Sequence, residues 1–488
     1  KLKQQEAVSV DLNDFVANKS GSTQKNFTFS LADGTLPDGL SFQNGTITGT
    51  PISAGKSTVK FSVANNGIAL MSAYDDTSNE LTLTLDVGLQ GDGTEANPYK
   101  ILDLSSITYL RDDVNSGNDY GVVNNGIKKS EYIKLMTDID LGGSESNQWT
   151  PIGTRYEPFN GNFDGGGHSI SGLYVKKTKT PYGPTTYVGL FGYSGGSIKD
   201  LGVSGEVTGY ISIGGVVGGN SGTIERCYSS VTVDSSERAG GITGQNSGNI
   251  RDCYNAGTVS GDQEVGGIVG ALTNGGIENC YNSGKISGTS NVGAIIGGLS
   301  IGRSYDNYYL TGTAAGGVNG GDYGTSSKTA AEFESGEVAY KLQKNSSTFI
   351  WGQKLSGSDK EPYPTLTSDS AKKVYAVTFM LKDSTAESGY KEYAVQYANA
   401  SNESDYFPAN PTGMGAYTFL HWVKSKDISA VPFRYSDPVS GDMTLYAVGK
   451  ENTTGTEADS NVKLKRIYAQ GDYTNFGVKL GKFATIDD

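Results

Sequence analysis

The chain has 488 residues, among them 69 glycines and 30 tyrosines, and a net charge of −13. That length argues against one compact core and for several domains or an elongated stack of repeats, while the acidic balance repels a phosphate backbone and disfavours a nucleic-acid partner. Hydrophobic residues make up only 36% of the chain, but they are strictly patterned, which points to β-structure with thin cores, and none of their runs reaches the roughly 20 residues of a membrane-spanning helix. The sequence begins at Lys1 and reads as a mature segment from which any signal or anchor has been trimmed.

Residues 1–88 form the first segment. Thr58-Val59-Lys60-Phe61-Ser62-Val63 and Leu81-Thr82-Leu83-Thr84-Leu85 alternate polar and apolar side chains, as half-buried strands do. Ahead of them LPDGLSFQNGTITGTP, Leu36 to Pro51, sets short apolar pairs between turn formers, with Ala54-Gly55 following. This stretch resembles the immunoglobulin-like, cadherin-related domain of bacterial surface proteins, and the resemblance implies a β-sandwich.

Residues 89–368 form the second segment. SSITYLRDDVNSG is a helix pattern, with Ile107, Leu110 and Val114 on one face and Gly117 as its stop. Near-copies then follow one another: VGLFGYSGGSIKDLGVSGEV from Val188, IGGVVGGNSGTIERCYSSVTV from Ile213, AGGITGQNSGNIRDCYNAGTV from Ala239 and VGGIVGALTNGGIENCYNSGKI from Val265, with a diverged fifth from Val292. A period of about 25 to 28 residues marks a solenoid whose coils bury their apolar faces only on one another, and the segment has room for about ten. With YIKLMTDIDL, WTPIG and FNGNFDGGGHSISGLYV before them, and FESGEVAYKLQ (a helix), WGQ and PYPTL after, the repeats resemble the GLUG-motif β-helices of bacterial adhesins and of some immunoglobulin A-cleaving peptidases.

Within the repeat, Ile198, Ile224, Ile250, Ile277 and Tyr305 stand three residues before the cysteine position. Val207, Val233, Val259, Ile286 and Ala314 stand six after it. Both ranks are expected to point inward, with a corner between the isoleucine and the cysteine, since a spacing of three breaks strand alternation. The corner residues are Lys199, Glu225, Arg251, Glu278 and Asp306, beside Asp200, Arg226, Asp252, Asn279 and Asn307. Their signs largely alternate, which suits register control on an exposed edge. Cys227, Cys253 and Cys280 occupy one position of successive coils and read as a ladder of buried thiols; one disulfide between neighbours would leave a cysteine over.

Residues 369–450 form a third segment, VYAVTFML…YTFLHW…MTLYAV, which resembles the Listeria–Bacteroides repeat, a small β-grasp-like module of surface proteins. Ala416, His421 and Gly449 depart from that pattern. Residues 451–488 have no assignment. The fold expected is thus mainly β: an N-terminal β-sandwich, a central parallel β-helix and a small C-terminal β-grasp-like module.

No catalytic constellation stands out. His168 and His421 fall in different segments and read as structural, and no HExxH, GxSxG or P-loop is present. Asp138, Asp140 and Asp164 are the carboxylates that a glycosidase would need, yet they sit in turn and strand elements. No cofactor is expected; Gly91-Asp92-Gly93-Thr94 is at most a weak calcium loop, lacking the full ligand set. Trp149, Trp351 and Trp422 read as core.

The binding candidates are aromatic. Tyr228, Tyr254, Tyr281 and Tyr309 each follow the cysteine position, and strand alternation turns them outward as a stripe of stacked rings suited to a sugar face or a protein. The alternative is a ladder that only stabilises the solenoid or packs under a neighbouring segment. The insertion KKTKTPYGPTTY, Lys176 to Tyr187, adds Tyr182 and Tyr187 on a loop. The resemblances imply an extracellular, cell-surface adhesion protein that binds host or matrix glycans or proteins without catalysis. A polysaccharide-active β-helix enzyme and a passive stalk remain as alternatives.

Overall fold

The computed structural model describes residues 1–15, 27–65, 80–117, 121–124, 127–177, 186–319, 321–400, 407–412, 414–415, 417–427, 429–434 and 436–451. The chain divides into two compact units. One comprises Lys1–Thr378, Ala394–Pro408 and Arg434–Met443; the other is drawn from Phe379–Tyr393, Ala409–Phe433 and the residues from Thr444 onward. The tail read as unassigned lies, from residue 452, outside the described residues, as does Tyr182.

The N-terminal part is a pair of sheets. Phe27–Asp33, Gly55–Asn65, Glu80–Gly88 and Leu2–Lys3 form a four-stranded sheet, and Val8–Asp11, Thr46–Gly49 and Leu40–Gln43 a three-stranded one. The alternating residues named above bury Val59, Phe61 and Leu85 against Leu12, Phe29 and Ile47. The turn of the LPDGLS…GTP stretch is Asn44-Gly45, both at positive φ (49° and 79°), which matches the twist of the hairpin strands around it.

The helix of SSITYLRDDVNSG is α1, Leu104–Asn115. Asp103 caps it: its carboxylate accepts from the Ser106 amide at 2.9 Å while Ser106 Oγ donates back to the Asp103 carbonyl. Ile107, Leu110 and Val114 are buried and Gly117 ends it at φ +98°. Gln4, buried in the sandwich, donates through Nε2 to Asp103 at 2.8 Å and so ties the two parts together.

The solenoid is parallel throughout and makes about six turns, not ten. Fewer coils fit because α1 occupies the stretch between the first two strands of the eight-stranded sheet, Tyr99–Ile101 and Tyr132–Leu135, and residues after Lys328 turn back over the coils. Three sheets run along its axis, of eight, eleven and five strands. On the eight-stranded sheet Ile133, Phe163, Ile198, Ile224, Ile250 and Ile277 stack inward in register. Val207, Val233, Val259 and Ile286 do the same on the eleven-stranded sheet. The paired glycines of each repeat let coils close up: a Cβ on Gly267 would lie 2.0 Å from the Ala294 carbonyl oxygen and 2.4 Å from Asn282 Cγ.

The corner expected between isoleucine and cysteine is present. Asp200, Arg226, Asp252, Asn279 and Asp306 all take left-handed backbone, φ 50° to 56°, a conformation that non-glycine residues adopt when their surroundings hold them there. Ion pairs bridge coils across this edge: Lys199 to Asp164 at 3.3 Å, Arg226 Nε to Asp200 at 2.6 Å and Arg251 to Glu225 at 2.7 Å. The three thiols form a ladder, buried and free. The Cys227 amide donates to Cys253 Sγ at 3.3 Å and the Cys253 amide to Cys280 Sγ at 3.4 Å; burial pushes the thiols of Cys227 and Cys253 up. The fifth coil shifts by one residue from its expected alignment. Asn307 takes the cysteine position, its Oδ1 accepting from the Cys280 amide at 2.9 Å, so Ser304, not Tyr305, pairs with Ile277, and Thr313, not Ala314, lies beside Ile286, accepting from its amide.

After the last coil the chain folds back as α2 (Ala330–Glu334) and α3 (Glu337–Lys344), separated at Gly336 (φ +90°), followed by the antiparallel pair Trp351–Gly352 and Thr365–Leu366. The single helix expected from FESGEVAYKLQ is therefore two. In the C-terminal sheet Tyr417–Val423 pairs antiparallel with Met443–Glu451, and Phe379 packs edge-on against Trp422 at 4.8 Å.

Candidate functional site

The tyrosine ladder exists, but its register and surroundings differ from expectation. Tyr228, Tyr254 and Tyr281 stack in adjacent coils, with centroids 5.1 and 4.9 Å apart and planes within 7°. The fourth rung is Tyr308, which pairs with Tyr281. Tyr309 pairs with Asn282, turns inward into the core and donates its hydroxyl to Asp322 at 2.9 Å. The one-residue shift of the fifth coil exchanges the two, since neighbours on a strand face opposite sides.

Nor is the stripe open along its length. Phe333, Val338, Leu342 and Trp351 of the returning segment cover Tyr281 and Tyr308, with Tyr254 packed at the edge of the cluster. Tyr281 is 1% exposed, lies 5.7 Å from Trp351 and 5.6 Å from Phe333, and donates its hydroxyl to the Pro364 carbonyl at 2.6 Å. Burial pushes the phenols of Tyr254 and Tyr281 up, so both stay neutral donors. Packing under a neighbouring segment, the alternative named for the ladder, describes these rungs.

Asp252 and Asn279, corner residues expected on an exposed edge, fasten that segment down. Asp252 is 8% exposed and accepts from Asn279 Nδ2, from Ser346 Oγ at 3.2 Å and from Trp351 Nε1 at 3.2 Å. Asn279 Nδ2 also donates to the Leu342 carbonyl at 3.0 Å.

Tyr187 is half-buried. It sits in left-handed backbone (φ 66°) between Thr186 and Val188, which pair with Ile211 and Ile213, and so joins the second corner rank of Ser212, Arg238, Glu264 and Asn291. Its ring meets Tyr193 edge-on at 5.2 Å and its hydroxyl reaches Gln245 at 3.3 Å. It is a packing residue of the solenoid, not a loop tip.

The open end of the ladder is Tyr228. The preceding rung in register is Gly202, which offers no ring; a Cβ there would lie 2.2 Å from Tyr228 Cζ. One face of Tyr228 is stacked on Tyr254 and the end of the ring leans over Gly202 into a groove of about 390 Å³. Asp164, Asp200, Arg226 and the Gly166-Gly167 turn form one side of this groove, and Phe349, Ile350 and Thr367 of the returning segment form the other. Arg226 and Asp200 are locked in a two-point pair, 2.6 and 2.8 Å, so their planar polar edges are fixed before any ligand arrives.

The acidic candidates are used locally. Asp138 accepts from the Ser169 amide at 2.7 Å, which holds its carboxyl below the usual range, Asp140 from Gly142 at 2.9 Å and Asp164 from Gly166 at 2.8 Å. His168 Nδ1 lies 3.5 Å from Asp138, while His421 sits in the second unit. Asp92 accepts from the Thr94 hydroxyl at 2.7 Å and amide at 3.0 Å, closing a turn.

Residues 2–88 match the family described as "Putative Ig domain", and residues 209–234 and 261–287 match "The GLUG motif". Among curated proteins, a "Putative Gly-rich membrane protein" of Evansella cellulosilytica is 31% identical over 145 residues, 28% of this chain. "Halomucin" of Haloquadratum walsbyi is 29% identical over 195 residues, 37% of this chain. Both are far longer: the chain spans 15% of the first and 2% of the second. A crystal structure titled as that of a "putative immunoglobulin A1 protease" from Bacteroides ovatus is similar over 57% of this chain and 94% of that one, at 24% identity and a TM-score of 0.40. Among the described residues no helix is long and apolar enough to cross a membrane.

Proposed function

We propose that this chain is a non-catalytic binding protein of a bacterial cell surface, and that its GLUG coils engage a host or matrix glycan at the open end of the tyrosine ladder. The observation that carries the reading is the ring of Tyr228, which rests over Gly202 with no further ring beyond it and lines a groove with the fixed Arg226–Asp200 pair. A flat ring suits the apolar face of a sugar, and paired planar polar groups suit its hydroxyls. The absence of catalysis is supported by Asp138, Asp140 and Asp164, each engaged in accepting from a backbone amide. The reading needs no cofactor. Surface placement is supported by the Ig-like and GLUG matches and by the printed names of the relatives. The same reading takes the C-terminal sheet as a Listeria–Bacteroides-type module, supported by VTF, YTFLHW and TLYAV falling on its strands.

The test is an array of glycans and matrix proteins probed with the intact chain and with Tyr228→Ala. A defined glycan class bound by the wild type and lost in the variant is the expected result. Hits that Tyr228→Ala leaves unchanged, or a blank array with folded protein, would overturn the assignment.

A further inference from the structure

A second groove lies away from the ladder, on the outer face of the eight-stranded sheet. It encloses about 640 Å³ and is lined by Asn249, Arg251, Gly276, Glu278, Arg303 and Tyr305 among others. We infer that this groove is a binding site for a carboxylate-bearing oligosaccharide, with Arg303 receiving the carboxylate and Tyr305 supporting a sugar ring.

Gly276 lines this groove. Its neighbours Gly248 and Gly275 are required by the coil: a Cβ on either would meet a backbone carbonyl oxygen at 2.0 and 1.9 Å. Gly276 is different. Its backbone is not left-handed, and a Cβ there would find its nearest atoms at 3.6 and 3.7 Å, ordinary contact. The fold does not demand glycine at this position, yet the missing side chain leaves a gap in an outward rank that reads Ser197, Thr223, Asn249, Gly276, Arg303 in register. Asn249 and Arg303 therefore face each other across the gap, two strand spacings or about 10 Å apart at the backbone.

The rank that holds the gap and the rank beside it divide the chemistry. The first carries no acid. Arg303 is exposed and, among the described residues, its guanidinium has no ion-pair partner, whereas Arg251 is already held by Glu225 at 2.7 Å. The second rank, two residues along each strand, reads Lys199, Glu225, Arg251, Glu278, Tyr305. Tyr305, expected to point inward, stands outward in it at 52% exposure. Glu278 in that rank accepts hydroxyls; a carboxylate belongs on the other side, against Arg303, where a planar guanidinium matches it with two parallel hydrogen bonds. The net charge of −13 repels anions at long range, but at physiological salt that field is screened beyond about 8 Å, while a contact inside the groove is not.

The experiment is calorimetric titration of the full chain with tetragalacturonate, and with its methyl ester, which keeps the sugar and removes the charge. The wild type is expected to bind the acid, with the ester weaker by about tenfold or more. Arg303→Gln should lose the same factor, and Gly276→Thr should abolish binding while melting like the wild type. Tyr228→Ala, in the other groove, should bind tetragalacturonate unchanged, which separates this proposal from the preceding one. Failure of the wild type to bind, equal affinity for acid and ester, or a normally melting Gly276→Thr that still binds would each overturn it.

Discussion

Single residues here act by position more than by type. Asn307 replaces a cysteine in the ladder because its side-chain oxygen accepts the same kind of amide hydrogen bond as the sulfur atoms of the coils before it. A reader of the sequence sees Asn-Tyr-Tyr and has no means of telling which tyrosine continues the ladder; the choice depends on a hydrogen bond across 27 residues. Tyr281 shows how far a repeat residue can depart from its counterparts once something covers it. Tyr281→Ala removes a buried ring and should cost about 3 to 5 kcal/mol. Tyr281→Phe keeps the ring, leaves the Pro364 carbonyl unpaired and should cost about 1 to 3 kcal/mol. Denaturant unfolding of the two variants measures this. Equal, small losses would mean that the ring is not sealed by Trp351 and Phe333.

Among elements, the returning segment of α2, α3 and the Trp351 strand pair was least legible. Its helical pattern and its WGQ and PYPTL motifs are plain, and so is its place after the coils. Its docking face is not, because it is built from Asp252 and Asn279, which the alternation of charge along the corner marks as solvent-facing. The coils themselves were legible for the opposite reason. An inward rank such as Ile198, Ile224, Ile250 and Ile277 repeats the same physical demand in every turn, so one pattern reports all of them. The segment also carries an acid-sensitive contact. Lys328 Nζ lies 2.9 Å from Glu332, and this ammonium, with the Thr329 amide of the α2 cap, lowers the Glu332 carboxyl from its ordinary 4.5 to about 2. Between those values the unfolded glutamate is protonated and the folded one is not. The contact therefore stabilises fully above pH 4.5 and is lost as the pH falls toward 2. The group is largely exposed, so the effect is modest. Melting curves of the wild type and Glu332→Gln should differ at pH 7 and converge near pH 2; a gap that does not change with pH would show that the carboxylate contributes nothing.

The whole solenoid is a stack without covalent ties. Parallel pairing of each coil with the next, glycine pairs that admit close approach and two ranks of left-handed corners hold about six turns in one register. The eight-stranded sheet is continuous enough to present two outward ranks side by side, which is what creates a groove out of single missing or protruding side chains. The free thiols inside the stack have a further consequence, which concerns time and not structure. Once folded, Cys227, Cys253 and Cys280 are sealed at zero exposure and an oxidant has no path to them. Before folding they lie 26 and 27 residues apart on a mobile chain, and loops of that size close far faster than parallel β-coils assemble. Under oxidising conditions folding is then a race: a disulfide made early clamps two coils before their neighbours are in register and leaves the third thiol to join another molecule. Refolding from denaturant in air should return less native protein, with more disulfide-linked dimer, than refolding with a reductant present, while the native protein should ignore the same oxidant. Equal yields would mean that the coils close before the thiols are oxidised.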